Sequence, residues 1–208
     1  MAAGTWSVSV IQGGTEYQRG SFTVTRPELT NTAVPKVTGT AAVGVKVAAA
    51  NGSWSAAPSS YTYQWKANGT AIAGATASTY QIPAALLGKK LTVTVTAVKS
   101  GWTSGTATSA AVTVAKGTAP KATKAPAISG TAKVGRTLTT SKGTWSPAAT
   151  SYAYQWYANG KAITGATKST LVLKSAQAGK KITVKVIAHR TGHQDGSAVS
   201  KATKAVAR

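Results

Sequence analysis

The 208 residues carry 24 lysines and arginines against 3 acidic residues, a formal charge of +21, with 42% hydrophobic residues and no cysteine. Such a surface attracts polyanions, whether nucleic acid, wall polymer, acidic glycan, an acidic capsid shell or anionic lipid, and the missing cysteine excludes disulfides, thiolate metal sites and thiol nucleophiles. The length suggests one or two domains, and an apolar fraction made mostly of Ala and Val allows only small cores.

At the N-terminus, Trp6, Val8 and Val10 alternate with polar residues, Gly13-Gly14 turns the chain, and Phe22 and Val24 alternate on the return. Period-two alternation around a glycine pair predicts a β-hairpin. Residues 1–33 are net neutral, with Arg19 and Arg26 against Glu16 and Glu28. A lone hairpin is marginal in water, so this one must dock. It could pack on the first repeat, end an upstream sandwich, or act as an anchoring arm that pairs with another chain through its open strand edges. The candidate attachment residues are Trp6, Val8, Val10, Phe22 and Val24. The opening Met1-Ala-Ala-Gly-Thr-Trp6 has neither the basic start nor the apolar run of a signal peptide. The most apolar stretch, residues 41–50, is broken by Lys46 and falls far short of the roughly 20 residues of a membrane span, so no membrane insertion is expected.

The rest of the chain is a duplication. At an offset of 91, residues 35–115 align without a gap to 126–206, with about 38 identities in 81 positions. Within each copy the apolar period is two: Leu91, Val93, Val95 and Ala97 share one face, as do Ile182, Val184, Val186 and Ala188 in the stretch 181–189. That pattern predicts antiparallel strands with one wet face. Tyr152, Tyr154 and Trp156 alternate inward in the same way, and Trp54 and Trp145 are expected in the core. Asn68-Gly69 and Asn159-Gly160 tolerate positive φ and signal tight hairpins. Short strands recurring every 8–12 residues between Gly, Pro, Ser and Asn clusters predict a β-sandwich. The expected organisation is an arm at 1–33, a first repeat at 34–116, an exposed semi-extended linker at 117–125 and a second repeat at 126–208, with the repeats end to end. The charge is uneven, +7 over residues 34–116 and +14 over 117–208.

Tyr63-Gln-Trp65 with Asn68-Gly69, Ile72-Ala-Gly-Ala-Thr76 and Leu87-Gly-Lys-Lys-Leu-Thr-Val-Thr-Val95 resemble the bacterial immunoglobulin-like repeat. Such repeats occur in secreted wall proteins of actinobacteria and in virion proteins of their phages. The second copy, with Tyr154-Gln-Trp156 and Ala178-Gly-Lys-Lys-Ile-Thr-Val-Lys-Val186, is similar more closely. The resemblance covers about four-fifths of the chain. It implies an all-β fold, two tandem immunoglobulin-like β-sandwiches preceded by an N-terminal β-hairpin arm, with Trp65 and Trp156 as the buried tryptophans of the third strand. Gly88-Lys89-Lys90 and Gly179-Lys180-Lys181 stand where antibody domains carry a corner tyrosine.

Catalysis finds little to work with. Between Glu28 and Asp195 there is no carboxylate, and the first repeat lacks Asp, Glu, His and Cys altogether. General acid–base chemistry needs placed carboxylates or histidines, and no nucleophile-elbow motif is present. His189 and His193 near Asp195 read as an outer-face residue and a loop residue rather than metal ligands. Calcium, an isopeptide crosslink and any cofactor are not expected for want of acids. Candidate polyanion or glycan contacts are Lys89, Lys90, Lys180, Lys181 and Lys185, clustered at one corner and strand, with Trp102 and Tyr157 as exposed aromatics. The competing reading is that Trp102 caps the end of its own sandwich or packs against the neighbouring domain. Nucleic acid is not expected as the partner, because no helix, arginine-rich motif or stacking array accompanies the charge.

These features imply a non-catalytic, surface-displayed structural or adhesion protein. The leading expectation is a phage virion accessory protein, a capsid decoration or tail-associated component. Its arm would bind other virion proteins or itself, and its basic repeats would contact anionic host wall polymers or glycans. The alternative is a C-terminal spacer or wall-binding fragment of a secreted actinobacterial surface protein.

Overall fold

The computed structural model describes residues 4–208, the side chain of Tyr17 excepted, so residues 1–3 of the expected arm lie outside the described residues. The chain divides into two compact units, Met1–Ala115 and Lys116–Arg208. The first opens with a hairpin of β1 (Gly4–Gln12) and β2 (Thr15–Val24). Its sandwich comprises β3 (Asn31–Ala33), β4 (Lys36–Thr38), β5 (Lys46–Ala50), β6 (Ser53–Trp54), β7 (Ser60–Ala67), β8 (Thr70–Ala71), β9 (Thr79–Gln81), β10 (Lys90–Val98), β11 (Gly105–Thr108) and β12 (Val112–Thr113). The second unit comprises β13 (Lys121–Lys124), β14 (Ile128–Ser129), β15 (Thr137–Thr140), β16 (Thr144–Ser146), β17 (Ser151–Ala158), β18 (Lys161–Ala162), β19 (Thr170–Val172), β20 (Ile182–His189) and β21 (Gly196–Val199). One 3-10 turn sits in each, Ala84–Leu86 and Ser175–Gln177.

Both sandwiches follow one plan. One sheet orders β8-β7-β10-β11 in the first and β18-β17-β20-β21 in the second, and facing it lie β4-β5-β9 and β14-β15-β19. The alternation in β10 and β20 is as strict as expected: Leu91, Val93, Val95, Ala97 and Ile182, Val184, Val186, Ala188 are fully buried, and their neighbours are partly exposed. Trp65 and Trp156 are completely buried between the sheets. A buried indole N–H left unpaired is costly. Each finds a backbone acceptor, Trp65 Nε1 on the Ala77 carbonyl at 2.9 Å and Trp156 Nε1 on the Lys168 carbonyl at 2.8 Å. The preceding glutamines tie the same loops, since Gln155 Nε2 donates to the carbonyls of Trp156 and Ile163 at 3.0 and 2.9 Å. The Asn-Gly turns have positive φ at both residues, and the Asn68 and Asn159 Oδ1 atoms each accept the N–H of the paired strand, from Lys90 and Lys181 at 2.8 Å.

The structure departs from the expected boundaries at both ends of the repeat. Residues 117–125 do not form a free linker. Their side chains in β13 are exposed, but the backbone pairs with β16, Ala122 opposite Trp145, and Pro120 is buried. The same holds for the tail of the expected arm. Pro27 and Leu29 bond to Thr103, Leu29 is 1% exposed, and β3 pairs with β6. The repeat therefore extends upstream to Leu29 and Pro120, a strand whose pairing is made by backbone groups and so leaves little identity behind. Downstream, the ungapped alignment slips by one residue. Val114 donates to the Lys89 carbonyl, whereas Val206, not Ala205, donates to that of Lys180. Burial of a valine decides the register, because Val114 and Val206 are 1% and 3% exposed. These closing segments, 114–115 and 206–207, which serve as the last strand of each sandwich, make parallel bridges from Ala115 to Ala42 and from Ala207 to Lys133, closing one side of each sandwich.

Gly105 and Gly196 mark where the first strand crosses the sheet. A Cβ on Gly196 would collide with the Pro120 carbonyl oxygen and lie 3.2 Å from the Trp145 ring. Gly196→Ala must push that strand away, at roughly 1–3 kcal/mol. A lower denaturation midpoint for the second sandwich is expected, with the adjacent Ser197→Ala within about 0.5 kcal/mol of the parent. Equal midpoints for the two variants would refute the close packing of this strand.

Candidate polyanion-contact surface

The lysines singled out from the sequence are exposed at the Gly88 and Gly179 turns, with Lys185 half-buried on the outer face of β20. Each turn is held by the last strand, Gly88 N–H on the Val114 carbonyl and Gly179 N–H on that of Val206, both at 2.9 Å. On the outer face of β17 and β20, Tyr157 lies opposite Thr183 and Gln155 opposite Lys185. Tyr157, Lys181 and Lys185 therefore share one sheet face on diagonal positions, a genuine neighbourhood.

Trp102 does not join the lysines of its own repeat. Lys90 starts β10 and Trp102 follows its far end, so the nine-residue strand separates them by roughly 27 Å. Nor is Trp102 a bare platform. It is half-buried, and Lys99 Nζ sits 5.4 Å from the ring centroid, covering the face on which a sugar would stack. Near its counterpart, His189 Nδ1 bonds Asp195 Oδ1 at 2.7 Å and His193 Nδ1 lies 3.0 Å from the Thr191 carbonyl. Among the described residues no three His, Cys, Asp or Glu converge as metal ligands.

The hairpin residues form one face. Trp6 is paired with Phe22 and Val8 with Gly20, with Val10 beyond, while Ser7, Ser9, Arg19 and Ser21 occupy the other side. The apolar side chains are open, Trp6 44%, Phe22 50%, Val10 59% and Val8 60% exposed, with Val24 half-buried. Among the described residues β1 and β2 pair only with each other. Arg19 and Glu16, 3.0 Å apart, neutralise each other beside the Gly13-Gly14 turn.

Four residues absent from the sequence reading belong with the basic surface: Lys161, Lys168, Lys174 and Gln177. They replace Thr70, Ala77, Pro83 and Leu86 of the first repeat. Comparing the two copies for gains of charge, rather than for identities, would have found the three lysines, and a comparison for gains of polarity Gln177.

No protein-family model matches this chain, and no curated protein sequence does. Solved structures resemble it at low identity. Domains from titin are 14% identical over 98% of this chain and 75% of that one, with a TM-score of 0.31. The tandem Ig repeats of Dlar are 16% identical over 85% and 98%, TM-score 0.26. Sidekick-1 immunoglobulin domains 1–5 are 16% identical over 97% and 46%, TM-score 0.26. The strand order, the buried tryptophan of the third strand and the parallel closing strand make this chain a tandem of immunoglobulin-like β-sandwiches. Among the described residues no helix is long and apolar enough to cross a membrane.

One core residue separates the two copies electrostatically. Tyr80 stacks on Trp65 with ring centroids 5.7 Å apart, and burial raises its hydroxyl above the ordinary tyrosine value of about 10. The second sandwich has Leu171 there. Because the folded state favours neutral Tyr80, its contribution is complete below about pH 10 and is lost as pH rises through the raised folded value. The first sandwich should lose stability in that alkaline window, and Tyr80→Leu should remove the loss while leaving the lysine titrations in place. Denaturant midpoints measured across the window check this, and identical pH profiles for the variant and parent would disprove it.

Proposed function

We propose that this chain is a non-catalytic, surface-displayed attachment protein, an accessory component of a phage virion. Its hairpin docks on the particle and its basic sandwiches contact anionic wall polymers of the host. The observation that carries the reading is the hairpin. Trp6, Val8, Val10, Phe22 and Val24 line one face of a two-stranded ribbon, that face is open but for the half-buried Val24, and among the described residues both outer strand edges are unpaired. A ribbon of this kind gains stability by adding to another sheet or burying its apolar face. The resemblance to virion repeats of actinobacteriophages supports the setting. The non-catalytic part is supported by the acid census, since residues 29–208 contain a single carboxylate, Asp195.

The division of labour follows the charge. The neutral hairpin suits an apolar contact, and the rest of the chain carries the whole of the +21. Many copies on one particle would convert weak electrostatic contacts into avidity.

Two outcomes are expected. Full-length protein with Trp6→Ser, Val8→Ser and Phe22→Ser should stay folded in both sandwiches and fail to co-sediment with particles. Undiminished co-sedimentation would remove the arm from the proposal. Adsorption of the parent protein to purified host walls should fall steeply with added salt, because each neutralised phosphate releases a counterion. Adsorption unchanged from low to high salt would remove the electrostatic contact.

A further inference from the structure

Each sandwich has a side that its closing segment leaves open, where the edge strands of its two sheets lie. In the second unit these are β18 and β19. Two recesses of 340 and 520 Å³ lie there, and Ile163 and Gln177 line both, so they adjoin and are treated together as one groove. Lys161 and Lys180 flank the first part, Lys168 and Lys174 the second. The corresponding recess of the first unit is 290 Å³, and no lysine lines it. There Tyr80 stands where the second unit has the smaller Leu171, and Leu86 stands in place of Gln177.

The groove is a built feature rather than a chance of loose loops. Its floor loop is fastened to the core, because the Trp156 indole holds the Lys168 carbonyl and the backbones of Trp156, Ile163 and Ala166 are bonded to one another. Gln177 is fixed at both ends of its backbone turn. Its Oε1 accepts the Lys174 N–H at 2.9 Å and its carbonyl accepts the Lys180 N–H at 3.0 Å. Oε1 is thus used, and Gln177 lines both recesses, so its amide Nε2 is the donor it can offer there. No acid answers the four ammonium groups: the second unit has one carboxylate, and that one bonds His189.

We infer that this groove binds a linear phosphodiester polymer of the polyol-phosphate type. This rests on the proposed contact between the basic sandwiches and wall polymers, and it assigns that contact to one place. Four ammonium groups around adjoining recesses suit several phosphates of one chain, and Gln177, which lines both recesses, can add a neutral donor. The chemistry of the walls selects the polymer. Alanine, isoleucine, leucine and threonine line the groove, with no aromatic ring among the described lining residues, so it offers no platform for a nucleobase or a pyranose ring. A slim, ringless chain fits what the lining provides.

The test uses the full chain and titrates it with purified poly(glycerol phosphate), single-stranded DNA and polyglutamate at one fixed salt concentration. Lys161→Thr, Lys168→Ala and Lys174→Ala are combined in one variant. A charge-matched control combines Lys133→Ala, Lys142→Ala and Lys204→Ala, outside the groove. The groove variant should lose about tenfold or more in affinity for poly(glycerol phosphate), and the control far less. Gln177→Leu, which changes no charge, should weaken the polymer several-fold and leave polyglutamate unchanged. Denaturation midpoints equal to the parent establish that the variants are folded. Equal losses in the two triple variants would overturn the groove while leaving a diffuse polyanion contact standing. DNA binding as tight as the polymer, and equally sensitive to the groove variant, would overturn the choice of ligand. No binding of the polymer by the parent would overturn both the groove and the wall contact.

Discussion

In each sandwich a tryptophan with no solvent exposure holds a carbonyl on the far side of the core, Trp65 that of Ala77 and Trp156 that of Lys168. Much depends on this bond. The ring fills the space between sheets that are otherwise lined by valine, alanine and leucine, and its N–H, unable to reach water, can be satisfied only if the loop before β9 or β19 comes to it. That demand fixes the open side of the sandwich, because the loop carries Ile163 to Lys168 past the edge of the sheet. The same bond that completes the core thus places the backbone of one groove lysine.

The charge is compatible with this core because the two occupy different faces. Period-two strands put every second residue into water, and the lysines of β13, β18 and β20 lie on that wet side or at strand ends. With one carboxylate in the second unit, the lysines have almost no partners for ion pairs. The lysines of the second sandwich therefore sit in mutual repulsion, which a bound polyanion would relieve.

The two copies show what duplication left free to change. The Gln-Trp pair, the Asn-Gly turn and the Gly-Lys-Lys corner recur because each meets a backbone requirement: Gln155 bonds Trp156 and Ile163, Asn159 bonds Lys181, and Gly179 bonds Val206. The open side carries fewer such duties. There Tyr80 became Leu171, Leu86 became Gln177, and Thr70, Ala77 and Pro83 became lysines, or the reverse, without disturbing the sheets. The N-terminal hairpin is the converse case, an element with regular pairing and an apolar face that neither core requires.

Several features were decided by the sequence alone. The alternation in residues 91–97 and 182–188, the Asn-Gly turns and the Tyr-x-Tyr-Gln-Trp runs were enough to give two β-sandwiches, the inward tryptophans and the hairpin, because these follow from local period and from which residues tolerate positive φ. The acid census needed no coordinates either. The tertiary structure decided three things. It made residues 121–124 a strand, although Lys121-Ala-Thr-Lys124 carries no apolar signal, because a strand crossing over Gly196 is held by backbone bonds and its side chains stay in water. It shifted the last strand by one residue so that Val206 rather than Ala205 is buried. And it drew Lys161, Lys168, Lys174 and Lys180 around Gln177 while parting Trp102 from Lys89 and Lys90. Proximity across a sandwich depends on which sheet edges face each other, and that relation is set by packing between strands distant in the chain.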